Sequence, residues 1–451
     1  MSHSASNQVP PTNAYRGYIE PDRGDSDELL VRTGRNTACG EYLRRYWQPV
    51  ALASEIEDIP RLIRVMGEEL VIFRDKSGRY GLVHKQCPHR RASMEFGTCE
   101  AGGIRCCYHG WLFDVDGTIV ELPGQPEGVT ELIKSKISLG AYPVREFNGL
   151  VFAYLGPIED LPEFPVYDTL EMPDQTYVPY RADYQCNWLQ VLDAILDPIH
   201  TSFLHTRMSR PQFSEGMGEL GELNFYPRPM GFLGSNTRRV DDNIWVRVNE
   251  LVLPNFTQAG AAFSADGSRS IYYGRTAFSR WVVPLDDEHT TAFAWAIFGD
   301  RADPEEYNTP EGPELIEQGE LMDRSYDARQ RFPGDAEAVE GMGKIADQSR
   351  EHLAPSDKGI ILYRKKLRKL CRDLEKGIKP QHTGDYWPNP VPTYGGDTVL
   401  NIPRDANDDA SLLRDIDKAV MEIQFDCEAM TGSQRDERVI QALKQLEASQ
   451  S

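Results

Sequence analysis

The sequence predicts an α+β chain: a small all-β module, then a larger domain with an antiparallel sheet and helices. Three observations carry that class. Between residues 46 and 157, short β-branched runs alternate with turn residues. From Arg228 to Gly299 strand signals repeat with no helical pattern between them. Residues 310 to 375 and 410 to 448 are rich in Glu, Lys, Arg and Leu, which favour helices. At 451 residues the chain supports more than one core. The expected divisions are 1–45 (a tail and a helix packing on the larger domain), 46–157 and 158–451.

Taken in order, residues 1 to about 25 are polar and Pro/Gly-rich and read as a loose tail. Gly40-Glu-Tyr-Leu-Arg-Arg-Tyr-Trp47 reads as helix. Arg61–Met66 and Glu69–Phe73 read as strands, with turn residues at Asp75-Lys-Ser-Gly78. The same style continues in Gly110–Phe113, the turn Asp114-Val-Asp-Gly117 and Thr118–Val120. A last β run, Gly149–Leu155, ends the module at Gly156-Pro157. Ile158 to Pro179, rich in Pro and acids, reads as a linker. Cys186–Leu196 is apolar and helical, and Asn243–Asn249 and Thr290–Phe298 are strands of the larger sheet.

Composition narrows the class of function. With 49 basic and 70 acidic side chains the net charge is −21, a poor match for nucleic acid or an anionic membrane. No apolar run approaches the length of a spanning helix. The first residues lack a secretory pattern, so the expected location is the cytoplasm, with the eight cysteines reduced.

Four cysteines cluster at 87, 99, 106 and 107, and two of them stand in a pattern. Cys87-Pro-His89 and Cys106-Cys-Tyr-His109 give C-x-H, sixteen residues, then C-x2-H. Thiolate and imidazole are both metal ligands, so a structural zinc is chemically permissible. Zinc knuckles, however, usually pair like ligands on each arm, whereas each arm here gives one Cys and one His. That arrangement suits a [2Fe–2S] centre of the Rieske type, with both Cys on one iron and both His on the other. Cys107 does not satisfy the spacing and Cys106 does.

Asp197-Pro-Ile-His200-Thr-Ser-Phe-Leu-His205 holds two of only nine histidines. Residues five apart lie about 140° apart on a regular helix, so convergence on one metal requires a distortion such as a π-type bulge. Two capped helix histidines are the plainer reading of the pair alone, with Asp197 as N-cap and Pro198 as first residue. A one-electron carrier earlier in the chain changes the balance, because it implies a site that receives the electron. Two imidazoles and a carboxylate form the facial triad of mononuclear non-haem Fe(II). That makes His200 and His205 candidate iron ligands and requires an Asp or Glu downstream.

Together these residues resemble the oxygenase component of the Rieske non-haem iron oxygenases, in the phthalate dioxygenase-like branch that includes aromatic O-demethylases. The likeness is carried by Leu43-Arg-Arg-Tyr-Trp-Gln-Pro49, Cys87-Pro-His-Arg90, Tyr108-His-Gly-Trp111, Asn187-Trp-Leu-Gln190, Asp197-x2-His200-x4-His205, Glu340-Gly-Met-Gly343 and Asp347–Leu353. The resemblance implies that Cys87, His89, Cys106 and His109 hold the cluster and that His200 and His205 hold iron. It places the third iron ligand at Asp335, with Glu337 and Glu340 as competitors and Asp323 and Asp327 more remote. It also implies that Asp197 bridges His109 of one subunit and His200 of the next in a head-to-tail homotrimer. NAD(P)H electrons are expected from a separate flavin/iron–sulfur reductase, directly or through a ferredoxin, since the chain shows no dinucleotide fingerprint of its own. The reaction expected is hydroxylation, dihydroxylation or oxidative dealkylation of a small aromatic or similarly flat substrate with O2. The alternative is a non-catalytic electron carrier or a zinc-stabilised binding protein. Leu189–Leu196, Leu253–Phe256 and Ala294–Phe298 are the segments expected near the iron. Two departures stand out: Arg91 where many relatives have Gly, and Ala194 where some demethylases have Asn.

Overall fold

The computed structural model describes residues 24–208, 215–260, 271–299 and 324–450. Most of the expected tail, and the helices expected before residue 324, lie outside these residues.

The all-β part contains three small antiparallel sheets. Gln48–Leu52 pairs with Leu150–Ala153, which pairs with Val144–Phe147. Arg61–Val65, Glu68–Arg74, Tyr80–His84 and Ala141–Tyr142 form the second. Thr98–Glu100, Gly103–Arg105, Leu112–Phe113 and Ile119–Glu121 form the third. The last two sheets enclose a core of Val71, Phe73, Val83, Ile104 and Phe113, to which Cys87, Cys106 and Trp111 belong. One helix, Glu127–Lys134, interrupts the β text. Its apolar residues Val129, Leu132 and Ile133 follow the i, i+3, i+4 spacing of a helix.

The larger part is an eight-stranded antiparallel sheet. Its path runs 176–184, 290–298, 272–284, 256–260, 243–252, 231–240 and 222–228, and Gly396–Asn401 pairs with both 243–252 and 272–284. Helices Asp409–Asp426 and Gly432–Ser449 cover part of it, burying Ile244, Val246 and Val248 against Ile416, Val420, Val439 and Leu443. Helices Trp188–Ile195 and Lys358–Glu375 join a second cluster with Leu251, Trp281, Val283 and the helix Ala38–Leu43. No helix among the described residues is long and apolar enough to cross a membrane.

Several expectations need correction. The expected linker runs at its end into the strand Thr176–Tyr184, whose Pro179 sits opposite Trp295. This strand lies at the sheet edge, where a residue without an N–H is tolerated. The helical reading of 310–375 holds only for Tyr326–Arg331, Asp335–Glu340 and Lys358–Glu375 among the described residues. Residues 341–357 form turns because Gly341, Gly343 and Pro355 break the pattern. The helix expected over 40–47 ends at Leu43.

Candidate functional site: two metal-binding donor sets

The two Cys/His loops share one hydrogen-bond scheme. The N–H of Cys87 donates to Ala92 O and the N–H of Cys106 to Trp111 O, each at 2.9 Å. Each cysteine carbonyl then accepts from the fourth residue on, Arg91 N or Gly110 N, at 3.0 Å. That fourth residue is left-handed in both loops, with φ 63° at Arg91 and 70° at Gly110. The scheme turns Cys87 and Cys106 inward, to 1% and 2% exposure, whereas Cys107 is exposed.

The His89 and His109 rings lie 4.5 Å apart between centroids, and His89 stacks on Trp111 at 4.4 Å. His89 Nδ1 is buried without a hydrogen-bond partner, as an imidazole nitrogen that awaits a metal should be. Burial pushes the Cys87 thiol up to about 11, with Cys106 beside it adding to the rise; a bound metal would reverse that cost by holding the thiolate. Among the described residues, three candidate ligand atoms lie within 4.8 Å of one another only at His200, His205 and Asp335. In the two loops Cys87 faces Cys106 and His89 faces His109, a like-with-like division that suits two irons better than one zinc. A two-iron cluster fits them.

The second donor set starts from a helix cap. Asp197 Oδ1 accepts from Ile199 N (2.8 Å) and His200 N (3.4 Å) and opens the helix Pro198–Ser202. That helix passes into a π-helical turn, Phe203–Arg207, closed by Met208 N donating to Phe203 O at 2.8 Å. The wider turn brings His205 back over His200, with ring centroids 5.1 Å apart. The expected distortion is present. Nε2 of His205 and Nε2 of His200 lie 3.2 and 3.6 Å from Asp335 Oδ1. His200 Nδ1 is 2.5 Å from the Asp197 carbonyl, which sets the tautomer and leaves Nε2 for a metal. The Asp197 carboxylate oxygen Oδ2 is 3.9 Å from the same Nδ1, so backbone rather than side chain orients the ring within one chain.

Electrostatics favour the ligating forms. Burial lowers the His200 pKa, which keeps its imidazole neutral. Burial alone would raise Asp335, but His205 and His200 together hold it well below the ordinary carboxylate range. The competing carboxylates are occupied elsewhere. Glu337 accepts from Arg324 (2.5 Å), Arg329 (2.9 Å) and Gly334 N (2.9 Å), and Glu340 accepts from Gln185 N at 2.8 Å. Asp323 lies outside the described residues.

Sequence reasoning quoted Asn187-Trp-Leu-Gln190 without giving its residues a role. Asn187 caps its helix through Leu189 N (3.0 Å) and ties it to Val31 O (2.9 Å) and Asp287 O (2.7 Å). Gln190 donates to Val339 O (2.7 Å) and Gly343 O (2.8 Å) and accepts from Ala346 N (2.8 Å). It fastens the segment that follows Asp335 to the segment that precedes His200.

Beside the triad opens a cavity of about 510 Å³, with Ala194, Ala338, Val339, Met342 and Ile360 in its apolar wall. The expected approach of Leu253–Phe256 and Ala294–Phe298 to it is not seen. Leu253 and Phe256 line a separate cavity of about 30 Å³ with Tyr46 and Trp47. Trp295 and Ile297 belong to the main core.

Residues 46–146 match the Rieske [2Fe-2S] domain. The chain is 39% identical to the tert-butanol monooxygenase / tert-amyl alcohol desaturase oxygenase subunit of Aquincola tertiaricarbonis, over 97% of each chain. It is 37% identical to the phenoxybenzoate dioxygenase subunit alpha of Ectopseudomonas oleovorans, over 79% of this chain and 87% of that one. Among solved structures, Pseudomonas putida CBB5 NdmA with caffeine superposes with a TM-score of 0.59 at 20% identity, over 74% of this chain and 93% of that one. A likeness at that identity speaks for the fold; the full-length relative speaks for the family. The chain belongs to the Rieske non-haem iron oxygenases and is a terminal oxygenase component, which uses O2 and electrons delivered by a reductase or ferredoxin.

Proposed function

We propose that Cys87, His89, Cys106 and His109 hold the [2Fe–2S] cluster within a unit spanning 46–157. His200, His205 and Asp335 hold Fe(II) within a unit spanning 158–451, on which residues 1–45 pack. The observation that carries this reading is the meeting, within 4.8 Å, of three donors from two distant stretches of chain. Iron in such a site supplies O2 activation for attack on a C–H or arene bond. The chain's own residues do the rest. The Asp197 carbonyl fixes the His200 ring, Gln190 holds the Asp335 segment, and Ala338, Val339 and Ile360 offer an apolar wall on which a flat substrate can be oriented.

The substrate is a small aromatic compound, as the phenoxybenzoate-acting relative supports. A second reading, a compact branched alcohol, is favoured by the full-length match to the tert-butanol-acting relative. Electrons pass from NAD(P)H through a separate flavin/iron–sulfur reductase, directly or by a ferredoxin, in the cytoplasm. The oxygenase is a head-to-tail homotrimer in which Asp197, its side chain one-quarter exposed, bridges His200 to His109 of the next copy. His200→Ala, His205→Ala and Asp335→Ala should each lose the mononuclear iron and turnover while keeping the Rieske absorption. Metal analysis and visible spectra check this, and an Asp335→Ala enzyme with full iron and turnover would overturn the triad. Labelled O2 with a panel of aromatic acids, aryl ethers and branched alcohols then separates the two substrate readings.

A further inference from the structure

The cavity beside the triad holds a carboxyl that neither donor set uses. Asp193, in the helix Trp188–Ile195, is only 6% exposed and lines the same cavity as Asp197, His200 and Asp335. Its Oδ2 accepts from Arg364 Nε (3.0 Å) and Nη2 (2.5 Å). Its Oδ1 is buried and has no hydrogen-bond partner. A buried carboxylate oxygen left unsatisfied is costly, and a roomy cavity with several polar groups on its wall is where water can repay that cost. Arg364 continues outward to Glu351, with Nη2 to Oε1 at 3.0 Å, and the Glu351 side chain is one-quarter exposed.

The charged and titratable groups around Asp193 come from four elements. Helix Lys358–Glu375 brings Arg364 and Tyr363, and the segment before it brings Asp347, Glu351 and His352. The helix Pro198–Ser202 and its cap bring His200 and Asp197, and the helix Asp335–Glu340 brings Asp335. Burial raises the Asp193 carboxyl to about 6, with Arg364 opposing the rise. It is thus poised to exchange a proton near neutral pH.

We propose that Asp193 is the residue that carries protons from this cavity to the reaction at the iron site. The proposal rests on the triad reading above. Hydroxylation follows RH + O2 + 2e⁻ + 2H⁺ → ROH + H2O, and dihydroxylation likewise consumes two electrons and two protons per O2. The reductase supplies the electrons, but the protons must come from solvent. As ligands, His200, His205 and Asp335 would carry no proton on the atoms that face the metal, and the Nδ1 proton of His200 is held by the Asp197 carbonyl. Arg364 holds Oδ2, so Oδ1 is the atom that takes a proton from cavity water, passes it inward and is recharged.

The test compares Asp193→Asn, which keeps an oxygen for Arg364 but cannot carry a proton, with Asp193→Glu. Asp193→Asn should keep its iron and Rieske absorption and hold KM within about twofold. Its kcat should fall about tenfold or more, with consumed O2 released as hydrogen peroxide and a larger solvent deuterium isotope effect. Asp193→Glu should recover part of kcat and of coupling. In the metal-free protein, infrared difference spectra should show a protonated carboxyl that titrates near pH 6 in the wild type and is missing from Asp193→Asn. Wild-type kcat and coupling in Asp193→Asn would overturn the proposal, and so would loss of iron in that variant, which would make Asp193 structural. Failure of the triad reading shows separately, as iron retained by the His200→Ala and Asp335→Ala enzymes.

Discussion

Arg91 and Gly110 occupy equivalent places in two loops that share one hydrogen-bond scheme, and both have a left-handed backbone. Glycine adopts that conformation freely, whereas an arginine gives up roughly 1–2 kcal/mol to hold it. Arg91→Gly relieves that strain but frees the unfolded chain, so the net gain should be no more than about 1 kcal/mol. Urea unfolding monitored by the Rieske absorption checks this; a destabilised variant would show that the Arg91 side chain, bonded to Gln86 at 3.3 Å, contributes more than the strain costs. Much at this scale was legible in the sequence. The C-x2-H spacing points to Cys106 rather than Cys107, and of the two Cys106 is buried and Cys107 exposed. Pattern alone does not distinguish Asp335, Glu337 and Glu340, whose surroundings differ through residues apart in sequence: Arg324 and Arg329 engage Glu337, and Gln185 N donates to Glu340.

The π turn at Phe203–Arg207 was foreseeable as an element, since two histidines five residues apart can converge on one metal only if a regular helix is distorted. Gln190 was not, because its partners Val339, Gly343 and Ala346 lie about 150 residues on in sequence. Three hydrogen bonds from one side chain, two of them fully buried, make it the clasp between the segments that carry His200 and Asp335. Gln190→Ala should leave those backbone groups unpaired at about 1–3 kcal/mol each and loosen Asp335, weakening iron binding roughly 10- to 100-fold. Isothermal titration of the iron-depleted enzyme with Fe(II) measures it; unchanged affinity would make the clasp dispensable. The strand Gly396–Asn401 escaped the sequence for the same reason. It pairs with Asn243–Val248 and Tyr272–Arg275, and pairing at that separation leaves no local mark.

Across the whole molecule, a buried ionic network joins the stretch after the β module, the large sheet and the C-terminal helix. Asp168 Oδ2 meets Arg275 at 3.1 Å and Arg435 at 3.2 Å, and Arg275 also meets Asp436 at 2.7 Å. Close by, Glu250 accepts from Tyr394 N (2.7 Å) and Gly395 N (3.2 Å), and burial raises its carboxyl from 4.5 to about 7. A carboxyl that holds its proton more tightly when folded stabilises the fold at low pH. That contribution is lost as pH rises from about 4.5 to 7, and it amounts to roughly 3 kcal/mol. Glu250→Gln, which keeps an acceptor for both amides, should therefore be more stable than the wild type at pH 8, with the gap closing toward pH 5. Thermal unfolding across that range checks the sign; a gap that does not vary with pH would place the ionisation elsewhere. The broad α+β architecture was legible because each part repeats its own period. This network was not, because its members are Asp and Arg residues spread from 168 to 436 with no spacing in common.

The meeting of His200, His205 and Asp335 has one more consequence, in the topology of the chain. Asp335 follows His205 by 130 residues, so a metal held by both closes a loop that contains most of the large sheet. A bound ion then acts as a removable cross-link, and for a loop of that length the chain-entropy argument assigns a permanent bond about 5 kcal/mol. Chelating the mononuclear iron while the cluster absorption persists should lower the melting temperature by roughly several degrees. It should also speed amide exchange first in Tyr326–Glu340, two short helices on the weaker side of the closure. Exchange there that ignores the iron would mean the protein, not the metal, ties that loop shut.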